Sequence, residues 1–202
     1  MTRKIKEKKE RALGTKLFLK PERCSSHKCV MIRRPYKPGQ HGQKRGKRPS
    51  EYARQLQEKQ KIQIVYGLTN RQMENIFRKY SGKPDQIVRA LEERLDRVVF
   101  LLGLGPSPRV SRQLVSHGHI EVNGRKMNIP SYKVKEGDVI SVRERSKKLD
   151  PFKDLSQILD KHQTPEWLNI KEGELKGECV GQPKEEAIEP FDINLVGEFY
   201  NR

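Results

Sequence analysis

Apolar residues recur at helical spacing between residues 50 and 95, and this pattern predicts a small helical domain. Ser50 can cap a first helix, which runs to Tyr66 and stops at Gly67. A second helix opens with a capping box formed by Thr69 and Gln72. The apolar stripe of this second helix consists of Met73, Ile76, Phe77 and Tyr80.

A third helix is predicted from Pro84, because proline is favoured in the first turn. Its buried face is expected to consist of Ile87, Val88, Leu91 and Leu95. The C-terminal residues form one further helical face, which consists of Leu195, Val196, Phe199 and Tyr200. An apolar face of this kind must be covered, so we expect this terminal helix to dock on another part of the chain.

From Asp96 the pattern changes to short helices followed by alternating strands. The stretch "DRVVFLLGLG" predicts an apolar helix, and a second helix is capped by Ser107 and stopped by Gly118. Alternation in "HIEVNGRKMNI" predicts two strands joined by an Asn-Gly turn, and "VKEGDVISVRE" predicts a third strand. A helix around residues 155–159 and a possible strand at residues 167–170 follow. The pattern by itself therefore indicates a mixed fold of helices and strands.

Charge changes this picture from a small mixed fold to a binder of polyanions. The chain carries a net charge of +17, and residues 1–60 alone hold 19 basic and 5 acidic side chains. Residues 1–49 also contain "RRPYKPGQHGQKRGKRP", whose prolines and glycines predict an extended basic arm. Nucleic acid is the favoured partner, since each neutralised phosphate releases counterions. An anionic membrane is the competitor, but the arm has no apolar face and no run is apolar enough to span.

The second helix of the mixed domain carries a polar stripe with no acidic residue. The stripe consists of Arg109, Arg112, Gln113 and Ser116. Val110, Leu114 and Val115 occupy the opposite, buried side, and His117 and His119 flank the turn after the helix. A solvated face is the alternative, but guanidinium, amide and hydroxyl groups in one row suit the backbone of RNA.

Two long stretches closely resemble the small-subunit ribosomal protein S4 family. "ERLDRVVFLLG" and "SRQLVSHGHIEVNGRKMNIPSYKVKEGDVISVRE" are similar to the RNA-binding module named after that family. "RRPYKPGQHGQKRGKRPSEYARQLQEKQKIQIVYGLTNRQMENIFRKY" resembles the part that other users of the module lack. The resemblance implies an α+β fold, with helices packed on a small, mainly antiparallel sheet. It also implies a basic arm at residues 1–49, a helical domain at 50–95 on which residues 192–202 dock back, and an α/β domain at 96–191 with the module at about 96–148.

The resemblance also implies a function and a set of binding residues. Family members are primary binders of 16S-type rRNA; they clamp a multi-helix junction, nucleate assembly of the 5′ domain, meet ribosomal protein S5 and contribute to decoding accuracy. The expected RNA-binding residues of the module are Arg109, Arg112, Gln113, Ser116, His117, His119 and Arg125. Those of the helical domain and the arm are Arg33, Arg34, Lys37, His41, Arg48, Arg54 and Lys61. Lys44, Arg45 and Lys47 are expected to face mRNA at its entry path. The protein is expected in the cytoplasm, in the small subunit, without self-association.

"CSSHKC", from Cys24 to Cys29, has the appearance of half a zinc site. Metal-binding members of the family carry an upstream pair of thiols, and here those positions are Glu7 and Glu10. Two carboxylates with two thiolates make a poor zinc site, so we expect no metal and no other cofactor; zinc bound through Cys24 and Cys29 is the alternative. The two cysteines are then expected to be reduced thiols, whose basic surroundings lower their pKa values.

Two further classes of protein compete with a ribosomal role. The triplet Arg94–Asp96 resembles the catalytic loop of pseudouridine synthases, some of which carry the same module, but no synthase domain follows it. No phosphate-binding loop or nucleophile triad is present, so an enzyme is not expected. A free regulatory RNA-binding protein is the other alternative, and the "PGQHG" arm argues against it.

Overall fold

A computed structural model describes residues 7–44, 48–149, 152, 162–171, 175–184 and 191–201. The helices are α1 (Lys8–Leu13), α2 (Pro21–Cys24), α3 (Val30–Arg33), α4 (Glu51–Val65), α5 (Asn70–Lys79), α6 (Pro84–Glu92), α7 (Leu95–Leu101), α8 (Pro108–Ser116), α9 (Glu144–Lys147) and α10 (Ile193–Tyr200). The strands are β1 (Ile120–Val122), β2 (Arg125–Met127), β3 (Val139–Val142), β4 (Leu168–Lys171) and β5 (Lys176–Cys179). No helix in these ranges is long and apolar enough to cross a membrane.

Helices α4, α5, α6 and α10 enclose one apolar core. The Ser50 hydroxyl accepts from the N–H of Ala53, and the capping box of Thr69 and Gln72 is formed in both directions. The buried residues of this core are Ile62, Tyr66, Leu68, Met73, Phe77, Ile87, Val88, Leu91, Ile193 and Val196. Since α10 contributes to it, the prediction that the C-terminal helix folds back is confirmed.

Leu95 does not belong to the third helix, so its place on that helical face was predicted wrongly. Helix α6 ends at Glu92, and Leu95 begins α7, where it is buried in a second core. The break occurs because the backbone turns to meet another segment: the N–H of Leu95 donates to the carbonyl of Tyr132, and the N–H of Val134 donates to that of Glu93. These bonds take the place of the next helical turn.

Five antiparallel strands form the sheet, in the order β2-β1-β3-β5-β4. The first hairpin pairs Ile120 with Met127 around a turn in which Asn123 and Gly124 both have positive φ, as a type I′ turn requires. Helices α7 and α8 cover one face, and the second core lies between them and the sheet. The mainly antiparallel α+β architecture is confirmed.

Strand β5 was not predicted, although it lies between β3 and β4 and joins β4 to the rest of the sheet. Its sequence, "KGEC", lacks the branched and aromatic residues that indicate strands. Gly177 stands at a buried position because Leu102 packs directly over it: a Cβ there would lie 2.4 Å from a Leu102 methyl carbon. Close packing against α7, and not strand propensity, therefore selects this residue. The predicted helix around residues 155–159 lies outside the described residues.

The arm is less extended than its composition predicted. Three short helices, α1 to α3, occupy its first part, whereas residues 34–44 contain no helix or strand, as their prolines and glycines indicate. The Nε of Arg11 donates to the carbonyl of Tyr36 at 3.0 Å, and its guanidinium lies 4.8 Å from the centre of the Tyr36 ring. These contacts hold the basic loop against α1.

Candidate nucleic-acid interface

A cleft with a volume of about 1200 Å³ lies between the arm, the end of α4 and the polar face of α8. Its cationic lining consists of Lys8, Lys9, Arg109 and Arg112. Its uncharged polar lining includes Gln60, Gln63, Gln113, Ser116 and His117. Among the described residues that line this cleft, none is an aspartate or a glutamate. Cations with amides and hydroxyls form a surface suited to phosphates and ribose hydroxyls.

Helix α8 turns its polar stripe to the cleft because its other side is buried. Ser111, Leu114 and Val115 are at most 5% exposed, and the Ser111 hydroxyl donates to the carbonyl of Ser107 at 3.0 Å. That bond explains how a serine occupies the buried side, where only apolar residues were expected. The structure places the whole predicted stripe and the first histidine on the cleft: Arg109, Arg112, Gln113, Ser116 and His117.

Arg112 also makes contacts within the protein. Its Nη1 donates to the carbonyl of Gly67 at 2.9 Å and to that of Tyr66 at 3.4 Å. The same nitrogen lies 3.6 Å from a carboxylate oxygen of Asp96. Arg112 therefore ties α8 to the end of α4, the opposite wall of the cleft.

A buried ionic cluster lies close behind this contact. The Tyr66 hydroxyl donates to the carboxylate of Glu92, which is fully buried and is held by Nε of Arg97 at 3.0 Å. Burial, together with the Glu92 charge, raises the pKa of Tyr66 well above its usual range, so the hydroxyl keeps its proton. The cluster joins the helical core to α7, next to the α6–α7 boundary, and fixes the two cores against each other.

The remaining predicted residues of the module lie outside the cleft lining. Arg125 is exposed on β2. His119 is half-buried: its Nδ1 lies 3.0 Å from the Ser146 hydroxyl, and its ring packs near Phe152. Burial, with smaller contributions from His117 and Arg143, lowers the pKa of His119, so its ring is neutral at pH 7.

The predicted residues of the helical domain do not line the cleft either. Arg48 and Arg54 are exposed. The Nζ of Lys61 lies 2.5 Å from the carboxylate of Glu58, and the Lys61 side chain is only 14% exposed. Lys61 is therefore engaged within α4, whereas the two arginines project into solvent.

The arm presents its predicted cations to solvent. The exposed residues are Arg33, Arg34, Lys37, His41 and Lys44. Arg45 and Lys47 lie outside the described residues. Pro38 of the same loop lines the cleft, so this basic loop begins at the edge of the cleft.

Lys8 and Lys9 were not singled out from the sequence, although both are exposed and line the cleft. They lie on the six-residue helix α1, which is too short to show a periodic pattern, within a mixed run of lysines and glutamates. The only signal in the sequence was the pair of adjacent lysines, and a pair of lysines does not indicate where in the fold it lies.

Cys24 and Cys29 are both buried, at 6% and 2% exposure. Burial, together with the charges of Glu10, Cys29 and Glu7, raises the pKa of Cys24. The prediction of a lowered thiol pKa was therefore wrong for Cys24, because nearby carboxylates and burial outweigh the basic arm. In the described part of the chain, no three His, Cys, Asp or Glu side chains are grouped to hold a metal ion.

Within the triplet Arg94–Asp96, the first and last residues form an ion pair inside the protein. The Arg94 guanidinium donates twice to the carboxylate of Asp96, at 3.0 and 2.8 Å, and both side chains are less than 10% exposed. This buried bidentate ion pair therefore engages both side chains within the protein.

Comparison with known proteins accounts for nearly the whole chain. The family described as Ribosomal protein S4/S9 N-terminal domain matches residues 2–95, and the S4 domain matches residues 93–140. The chain is 46% identical to the small ribosomal subunit protein uS4 of Thermus thermophilus over 194 residues, covering 94% of this chain and 93% of that protein. It is 44% identical to the uS4 protein of Halothermothrix orenii and 43% identical to that of Desulfitobacterium hafniense, with the same coverage. These matches show that the chain belongs to the small ribosomal subunit protein uS4 family.

Proposed function

We propose that this protein is a primary rRNA-binding component of the small ribosomal subunit, and that RNA occupies the cleft between the arm, α4 and α8. Membership of the uS4 family makes it a structural, non-catalytic constituent of that subunit, located with it in the cytoplasm. The observation that carries the proposed site is the lining of the cleft, with four cations and no carboxylate among the described residues. Such a surface attracts the phosphate backbone of a nucleic acid.

The two apolar cores support a clamp-like mode of binding. One core belongs to α4, α5, α6 and α10, and the other to α7, α8 and the sheet. These cores support domain boundaries near residues 50 and 96, with residues 192–202 returning to the helical domain. A multi-helix junction in the 5′ domain of 16S-type rRNA would then contact both domains at once, which suits a protein that nucleates assembly.

The exposed arm supports a wider binding surface around the cleft. In this proposal Arg33, Arg34, Lys37, His41, Arg48, Arg54 and Arg125 contact rRNA outside it. Lys44, with Arg45 and Lys47, faces the entry path of mRNA. The resemblance described above is the support for contact with ribosomal protein S5 and for an influence on decoding accuracy.

Sedimentation of the native protein tests the ribosomal role. We expect the protein to co-migrate with small subunits in a sucrose gradient and to leave the top fractions empty. A native protein that stays at the top and never co-migrates would refute the proposal.

Salt-dependent binding to a 5′-domain rRNA transcript tests the site. Lys9→Ala and Arg109→Ala should each weaken binding and reduce the slope of log K against log salt by about 0.7–0.9. Lys184→Ala is the matched control, since this exposed lysine lies in the acidic C-terminal region and outside the cleft. If all three variants behave alike, RNA does not occupy the cleft.

A further inference from the structure

Phe18 has a backbone conformation that bulky residues avoid. Its φ is +50°, in the left-handed region, where a Cβ meets the neighbouring carbonyl. The other non-glycine residue with positive φ in the described chain is Asn123, whose side-chain type tolerates a tight turn. Strain of this kind persists only where the surrounding structure imposes it.

A buried carboxylate imposes the conformation. Glu10 is 2% exposed, and its Oε1 accepts from the N–H of Leu17 at 3.0 Å and from that of Leu19 at 3.3 Å. The Leu17 and Leu19 side chains are buried, at 7% and 8% exposure. Phe18 lies between these two anchors, so its backbone has no freedom to relax.

The result is an aromatic ring held out in solvent, at 52% exposure. A single exposed apolar side chain is ordinary, so exposure alone carries no argument. Here the ring is kept exposed at the cost of backbone strain, and no ring stacking or cation–π contact to it is found among the described residues. Among the described residues, contacts with another aromatic ring or with a cation therefore do not explain the side chain.

The surroundings of the ring indicate the chemistry of its partner. In the sequence, Lys16, which is exposed, and Lys20, which is half-buried, lie two residues to either side of Phe18. Leu19, the next residue, lines the cleft. An aromatic face between two cations suits an unpaired base with its phosphates, because every base offers a face for stacking. A single ring is small for docking a protein, which needs a much larger apolar area.

We propose that Phe18 is a stacking platform for an unpaired base of the small-subunit rRNA, beside the RNA held in the cleft. This inference rests on the proposed rRNA-binding function. The strained turn presents the ring before RNA arrives, so the side chain does not have to be ordered on binding.

Three variants of the full-length protein test the platform, with a 16S-type 5′-domain transcript as the only partner. F18L keeps an apolar side chain but loses the aromatic face, so it should bind about 5- to 100-fold more weakly. The salt slope should stay unchanged in F18L, since no charge is removed. F18W restores the face and should bind within about threefold of wild type, with its added tryptophan fluorescence quenched by RNA.

F18N separates stacking from folding. Asparagine tolerates the left-handed region, so the variant should melt no lower than wild type while it loses binding as F18L does. An F18L protein that binds within twofold of wild type, or an F18N protein that melts lower, would overturn the inference. Wild-type protein that fails to bind the transcript would instead refute the proposed function.

Discussion

Arg112 is expected to act mainly as a brace between the two walls of the cleft, which Arg112→Ala tests. The guanidinium donates to the Gly67 carbonyl at 2.9 Å and lies 3.6 Å from the carboxylate of Asp96. A hydrogen bond from a charged donor contributes about 1.5–3 kcal/mol. The Arg112 side chain is 35% exposed, which reduces the expected loss to about 1–2 kcal/mol.

Asp96 limits the damage, because it keeps both of its bonds to Arg94 when Arg112 is removed. The variant should therefore fold, with a lower midpoint in urea and an unchanged denaturant slope. Arg109→Ala is the matched control one turn earlier on the same stripe. It should change the free energy of unfolding by no more than about 0.5 kcal/mol.

Binding to the rRNA transcript separates a brace from a phosphate contact. Arg112→Ala should lower affinity with little change in the salt slope, whereas Arg109→Ala should reduce that slope by about 0.7–0.9. Arg112→Lys keeps the charge but not the planar fork, so it should recover little of the lost stability. Full stability in Arg112→Ala with a slope reduced as in Arg109→Ala would refute the brace and leave Arg112 as an RNA contact.

Three further predictions concern the arm and the module. Glu10→Gln should lower the free energy of unfolding by about 1–2 kcal/mol, measured by urea titration. The reason is that a neutral amide oxygen accepts hydrogen bonds from the N–H groups of Leu17 and Leu19 less strongly than a carboxylate does. An unchanged urea midpoint would contradict the anchoring role of Glu10. The pKa of His119 is lowered in the folded protein, so the unfolded chain binds more protons just below its ordinary value of 6.5. The free energy of unfolding should therefore fall as pH drops through that value, and it should depend less on pH in His119→Gln. The same pH dependence in the wild-type protein and the variant would contradict the burial argument. The pKa of Cys24 is raised, and its side chain is only 6% exposed. A variant that retains Cys24 alone should therefore react more slowly with a disulfide reagent at pH 8 when folded than in urea; equal rates would mean that the thiol is accessible.

The predictable parts of this protein are those decided by neighbouring residues. The capping box at Thr69, the helix start at Ser107 and the type I′ turn at Asn123 each depend on groups a few positions apart. Amphipathic spacing also identified most of the buried sides of the helices. The exceptions are Leu95, the buried Ser111 on α8, and the face of α10, where Ile193 is buried while Leu195 and Phe199 are only half-buried. The polar stripe of α8 was predicted by the same rule, since one helical face must point away from the core.

The parts that were not predicted depend on residues far apart in sequence. Strand β5 is held by its neighbours β3 and β4 and by Leu102 above Gly177, and its own residue types disfavour a strand. The pKa of Cys24 is set by burial and by Glu10, which approaches from another helix. A local reading of charge therefore had the wrong sign.

The sequence by itself determined the basic character and the polar face of α8, because composition and short-range spacing suffice for these. The α+β fold class came from the resemblance of two long stretches to a known family. Tertiary structure alone decided that Lys8 and Lys9 lie across a cleft from Arg109, and that Arg112 is bonded to the opposite wall. It also decided that Glu10 holds Phe18 outward in a strained turn. The physical reason is the same in each case: electrostatic and packing energies depend on distances in space, and those distances exist only after the two cores have formed.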